Sequence, residues 1–152
     1  MFSNFTSGDR IFIFQANIFL SKPQQQIMSN FVQEFIHNWK SHNVVVNAEF
    51  IELYDVFLII CADHNTLPSG CSIDSLMKMI SNLESIINVD FRNRNLIVTR
   101  INNVMKHYDY QQLKQDFQHK VIDQNTIIFD NTMTTKNDFI LYWQKDLEAY
   151  FA

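Results

Sequence analysis

The chain has only two glycines, two prolines and two cysteines among its 152 residues, and each scarcity excludes something. A phosphate loop of the form G-x-x-x-x-G-K-[ST] needs two closely spaced glycines. Gly8 and Gly70 stand far apart, so a P-loop ATPase is excluded, and a G-x-G-x-x-G dinucleotide loop with it. Cys61 and Cys71 are too few for a disulfide framework and wrongly spaced for a zinc knuckle. They read as reduced thiols of a reducing compartment. The longest apolar run, Val56 to Ala62, is far short of the ~20 residues that cross a bilayer. Met1 to Arg10 lacks the basic-then-apolar pattern of a signal peptide. The expectation is a cytoplasmic protein without a membrane partner. Charge of one sign is scarce as well: the formal net charge is -4, with no Lys/Arg run. Nucleic acid, whose binding depends on a basic face, is not an expected partner.

What the chain does have is apolar and aromatic side chains, at 47% and 14% with 14 Phe. A domain of this length buries roughly 68–70% of its unfolded surface and can stand on its own core. Residues 1–152 read as one α+β domain, with no internal repeat or linker long enough to split it.

Arg10 to Asn17 is a β-rich run and the first strand. Ser21, Pro23 and Gln24 make a capping-box helix start. Ile27, Met28, Phe31, Val32, Phe35, Ile36 and Trp39 follow at helical spacing, to an end near Ser41–Asn43. Val44 to Ile51 alternates as a strand, and Glu52–Asp55 is a tight connection. Val56 to Ala62, apolar throughout, fits a central strand covered on both faces. A polar loop containing Pro68 leads to a second helix that starts at Ser69–Ser72 and carries Ile73, Leu76, Met77, Ile80, Leu83 and Ile87. Asn95–Ile101 is a fourth strand; Asp109 with Gln112 caps a weaker third helix; Thr126–Phe129 is a fifth strand. Thr135 caps a last helix bearing Phe139, Ile140, Trp143, Leu147, Tyr150 and Phe151. The order β-α-β-β-α-β followed by α-β-α predicts a ferredoxin-like core with a C-terminal extension. A three-layer α/β sheet is the alternative, kept open by the buried central strand.

Pro68-Ser69-Gly70-Cys71-Ser72-Ile73-Asp74 is the most informative stretch. Amides in a helix's first turn are unpaired and carry partial positive charge, so they suit an anion or lower the pKa of a thiol. Asp63, His64 and Asn65 end the preceding strand, and Asp130 and Asn131 end the fifth. The candidate ligand-binding set is therefore Asp63, His64, Asn65, Ser69, Gly70, Cys71, Ser72, Asp130 and Asn131. In the same segment Cys71 as nucleophile with His64 as base is the catalytic alternative. Such turns are more often purely structural, small residues serving to cap the helix and let it approach the strand. His37, His42, His64, His107 and His119 show no H-x-x-x-H pair, so neither a metal nor a cofactor is expected.

Arg10–Asn17, Ser69-Gly-Cys-Ser-Ile-Asp74, Asn88-Val-Asp-Phe91 and Thr126–Asn131 with Thr135-Lys136 follow one another as in a family of short, uncharacterised bacterial proteins often labelled "ABC transporter ATPase". The chain resembles that family over nearly its whole length, most specifically at Ser69–Asp74. The label implies nucleotide hydrolysis, for which this chain has no glycine loop. At Arg92-Asn-Arg-Asn95 it departs from such relatives, which usually carry another acidic residue there. The functional expectation is a non-enzymatic domain that binds a small anionic or polar ligand, or a protein partner. The alternatives are a cysteine-dependent enzyme and the subunit of a structural homodimer.

Overall fold

Ser21 begins the fold's most clearly signalled helix. Its hydroxyl accepts from the Gln24 amide, and the Gln24 side chain accepts in return from the Ser21 amide. This reciprocal cap, with Pro23 in the first turn, starts α1 (Lys22–Asn38) where the sequence puts it. The computed structural model describes residues 1–67 and 69–152; Pro68 lies outside them. Met28 and Val32 of α1 are buried, whereas Ile27, expected on the same face, is exposed.

Strands β1 (Arg10–Gln15), β4 (Ala48–Leu53) and β5 (Phe57–Ala62) form an antiparallel sheet in the order β1-β5-β4. All six β5 residues are buried, as expected of a central strand. The expected strand over Val44–Ile51 is broken. Ser41 and Val44 close a two-residue turn, pairing β2 (Lys40–Ser41) with β3 (Val44–Val45) as a small hairpin. Val46 is pulled inward, its amide bonded to the Trp39 carbonyl.

A ferredoxin-like core would hold the fourth strand in the same sheet as β1; the structure puts β6 (Leu96–Ile101) in a second antiparallel sheet, ordered β7-β6-β8-β9. Here β7 is Val104–Asp109, β8 Ile127–Phe129 and β9 Gln144–Asp146. Part of the β1 edge is already taken: the Ile11 amide donates to the Thr134 carbonyl at 2.8 Å, and Arg10 bridges to Thr135. The ferredoxin-like sheet is therefore replaced by two antiparallel sheets, and the coarser α+β class stands. The three-layer alternative needs parallel neighbours, and among the described residues every ladder is antiparallel.

The expected last helix is three elements: α4 (Lys136–Tyr142), β9 and α5 (Leu147–Phe151). Trp143 is nearly fully buried, and its carbonyl accepts from the Asp130 amide as β9 pairs with β8. Asp146 then caps afresh, accepting from the Ala149 amide. Helix α2 (Gly70–Ile87) packs against α1, and α3 (Tyr110–Gln118) follows β7. One apolar cluster joins the first sheet to Val98 and Phe129 of the second and to Trp143 just ahead of β9, with Leu113, Ile128 and Leu147 in a smaller one.

Candidate functional site

Among the described residues five helices begin, and four are closed by the side chain at their N-cap: Ser21, Asp109, Thr135 and Asp146 each accept from an amide of the first turn. Helix α2 is the exception, for Ser69 makes no side-chain capping bond. Its hydroxyl instead lies 3.4 Å from that of Ser41 in β2. Ser72 is buried and cannot substitute, because its hydroxyl donates to the Ser69 carbonyl at 2.9 Å. Among the described residues nothing accepts from the amides of Gly70, Cys71 or Ser72. The turn is nevertheless anchored from behind, where the Trp39 indole donates to the Ser72 carbonyl at 2.9 Å. Gly70 and Cys71 are exposed, and a Cβ added at Gly70 would meet nothing within 4 Å. Gly70 thus serves neither a left-handed backbone nor a close approach. It leaves open space in front of the turn.

The preceding strand end is built by Asp63. Its carboxylate accepts from the Asn65 amide, and its carbonyl accepts from the Thr66 and Leu67 amides. Thr66 ties this turn to β4 through the Asn47 amide. His64 is held by a residue the sequence reading missed. Buried Asp9 places Oδ1 at 2.5 Å from His64 Nδ1 and at 3.1 Å from the His64 amide, while its Oδ2 accepts from Thr6. Burial pushes the Asp9 carboxyl up, but the His64 bond and the Thr6 and His64 amides together hold it below its ordinary value. With Nδ1 engaged, Nε2 is the ring nitrogen without a hydrogen-bond partner among the described residues. Asp9 lies 55 residues from His64, and only its position just ahead of β1 hinted at a role.

Ligand atoms of Asp9, Asp63 and His64 lie within 4.8 Å of one another, so these residues could hold a cation. The 2.5 Å contact between Asp9 and His64 is a hydrogen-bond distance. Two donors on one ion, each about 2.1 Å from it, sit roughly 3 Å apart at right angles. A bound ion would have to break that bond. Cys71 does not join this cluster, and among the described residues no hydrogen bond links it to His64.

Asp130 and Asn131 do not belong to this edge, which corrects the sequence expectation. Asp130 pairs with Lys145 at 2.6 Å and accepts twice from Thr132. Burial raises its pKa, but the Lys145 and Thr132 bonds outweigh that and leave it lowered. Asn131 donates to the Gln15 side chain and accepts from the Trp143 indole. Gln15 pairs with Phe57 at one end of the sheet, whereas Asp63 follows Ala62, which pairs with Arg10 at the other. At about 3.4 Å per residue these ends are roughly 17 Å apart. Cys61 is core, as expected, its thiol pushed up to about 12 chiefly by burial.

Two cavities lie away from the α2 start. One of about 110 Å³ sits beneath the β4–β5 turn. A more open groove of about 390 Å³ runs between α1 and α2 over Phe31, Phe35 and Met79. No helix among the described residues is long and apolar enough to cross a membrane. Compared with protein-family models, with curated proteins and with solved structures, the chain finds a match in none of the three.

Proposed function

We propose that the chain is a non-enzymatic binding domain that takes an anionic or polar group at the amino end of α2, with Asp63–Asn65 as the adjoining wall. The observation that carries this reading is the uncapped start: among the described residues, one helix of five leaves its first-turn amides without an N-cap side chain. An 18-residue helix concentrates about half a positive charge there. Carboxylate or phosphate oxygens meet such amides without any cationic side chain. The open space before Gly70 and the exposure of Cys71 support access. The same Ser69–Asp74 stretch carries the resemblance to the short bacterial family, and the proposal includes membership of it.

Ser69→Asp tests this directly. A carboxylate at the N-cap occupies the amides itself and stabilises the helix by about 0.5–1.5 kcal/mol. In thermal-shift titrations with phosphate, nucleotides and carboxylates, the wild type gains stability with ligand. Ser69→Asp starts from a higher melting temperature and gains nothing more. A wild type indifferent to every anion, or a variant that responds like it, sinks the proposal.

Cysteine chemistry is a second reading, favoured by the exposure of Cys71 and by the grip of Asp9 on His64 Nδ1, which orients the ring as a base is oriented in a nucleophile–base pair. Its test is the pH dependence of Cys71 alkylation. Reaction confined to pH above the ordinary thiol value of about 8.5 rules it out.

A further inference from the structure

The outer face of the α1–α2 pair is poor in charge. Gln, Asn and Ser hold many of its exposed positions, Gln26, Asn30, Asn82 and Ser85 among them. Apolar residues stand beside them: Ile27 is 43% and Ile86 52% exposed, and Phe31 and Phe35 are only partly covered. The open groove of about 390 Å³ runs along this face, and its lining carries one acid, Glu34, and one base, Lys78. Few charges, with aromatic residues and Met enriched, distinguish the centre of a protein–protein interface from ordinary surface.

Two ties fix how the helices lie. The Gln24 side chain donates to the Ile87 carbonyl and the Trp39 indole to the Ser72 carbonyl, each at 2.9 Å. The pair is therefore antiparallel, with the start of α1 beside the end of α2. Counted from these ties at about 1.5 Å per residue, Glu34 lies within roughly 2 Å of the height of Lys78, and Ile27 within roughly 3 Å of Ile86. Ile27 stands four residues before Phe31, and Ile86 four residues after Asn82, so both continue the stripes that line the groove. Glu34 and Lys78 nevertheless form no ion pair, with each other or with any other described residue.

A face of this kind complements itself. A twofold axis laid along the groove keeps each residue's height and exchanges the two sides. Glu34 then meets Lys78 of the second copy, and Lys78 meets the second copy's Glu34. Ile27 and Ile86 meet in the same reciprocal way. We propose that the α1–α2 groove is the interface of a homodimer, its occupant a second copy of this chain turned about that axis. A strongly charged partner would find only one charge of each sign along the groove. Two helices about 27 Å long and together roughly 20 Å across offer on the order of 500 Å² a side. Twice that reaches the ~1,000 Å² a specific contact needs but not the ~1,600 Å² of a standard one, so the dissociation constant should be on the order of 10 µM.

The test is sedimentation equilibrium of the full chain from about 1 to 500 µM, a range that brackets that constant. The wild type should pass from monomer to dimer. Glu34→Lys alone, or Lys78→Glu alone, sets like charges opposite each other and should weaken the dimer about tenfold or more. The two reversals together restore opposite charges and should return the constant to within about threefold of wild type. Both positions are exposed, so neither single variant endangers the fold. A wild type that stays monomeric through the range overturns the proposal. So does a dimer indifferent to the single reversals, or one that the double reversal fails to restore. A monomeric wild type that instead binds phosphatidylcholine vesicles assigns the groove to a lipid surface and overturns the proposal equally.

Discussion

Asp130 and Glu52 are both largely enclosed carboxylates, and the fold treats them oppositely. Asp130 has Lys145 at 2.6 Å and two bonds from Thr132, which win over burial and lower its pKa. Glu52 has burial alone, which raises its pKa above the ordinary 4.5. The signs follow from proton linkage. A lowered carboxylate contributes stability that is present above its ordinary value of 3.8 and is lost as pH falls through the folded value. A raised one favours the fold most below 4.5 and loses that contribution as pH climbs through the folded value. In denaturant melts at pH 7, Asp130→Asn should therefore lose about 1–3 kcal/mol, because Lys145 keeps its charge without a counter-charge. Glu52→Gln should gain on the order of 1 kcal/mol at pH 7 in ligand-free protein, and little at pH 4. A Glu52→Gln variant less stable than wild type at pH 7 would mean that the carboxylate already has a partner.

At the level of elements, the chain makes its left-handed turns without glycine. Among the described residues nine other than glycine have positive φ, and neither glycine does. The β6–β7 hairpin closes on Asn102 and Asn103, at φ 51° and 65°, the backbone of a two-residue turn that Asn-Gly favours most. Asn103→Gly should stabilise the protein by about 0.5–1 kcal/mol, read as a higher urea midpoint at unchanged slope. Loss of stability would mean that the Asn103 side chain matters more than its backbone. This turn also explains a miss, because β7 follows a pair of asparagines and alternates too weakly to read as a strand on its own. The elements that were legible are locally encoded. The Ser21–Gln24 box signals α1 within four residues, and β5 is apolar from end to end. The last helix misled because Phe139, Trp143 and Leu147 keep helical spacing across a break. Trp143 instead bonds Asn131, and Asp146 recaps the chain.

Across the whole molecule, what the sequence hides is pairing at a distance. The α+β class stands as expected, but the fate of β6 depends on Thr134 and Thr135 reaching back to β1. The candidate site divides in the same way. Ser69–Ser72 was visible as a helix start beside one of two glycines. Asp9 meets His64 across 55 residues, and Asn131 meets Gln15 across 116, so neither partner was visible locally. Glu52 was read as part of a turn, since nothing in its neighbours marks it as enclosed. The account rests most heavily on unoccupied amides at the start of α2, and an amide-resolved NMR titration with inorganic phosphate reads them one by one. The predicted result is saturable shifts at Gly70, Cys71 and Ser72, with Asp63–Asn65 following and the distant Asp130 and Asn131 unmoved. Shifts absent from those three amides, or scattered over surface lysines, would contradict it.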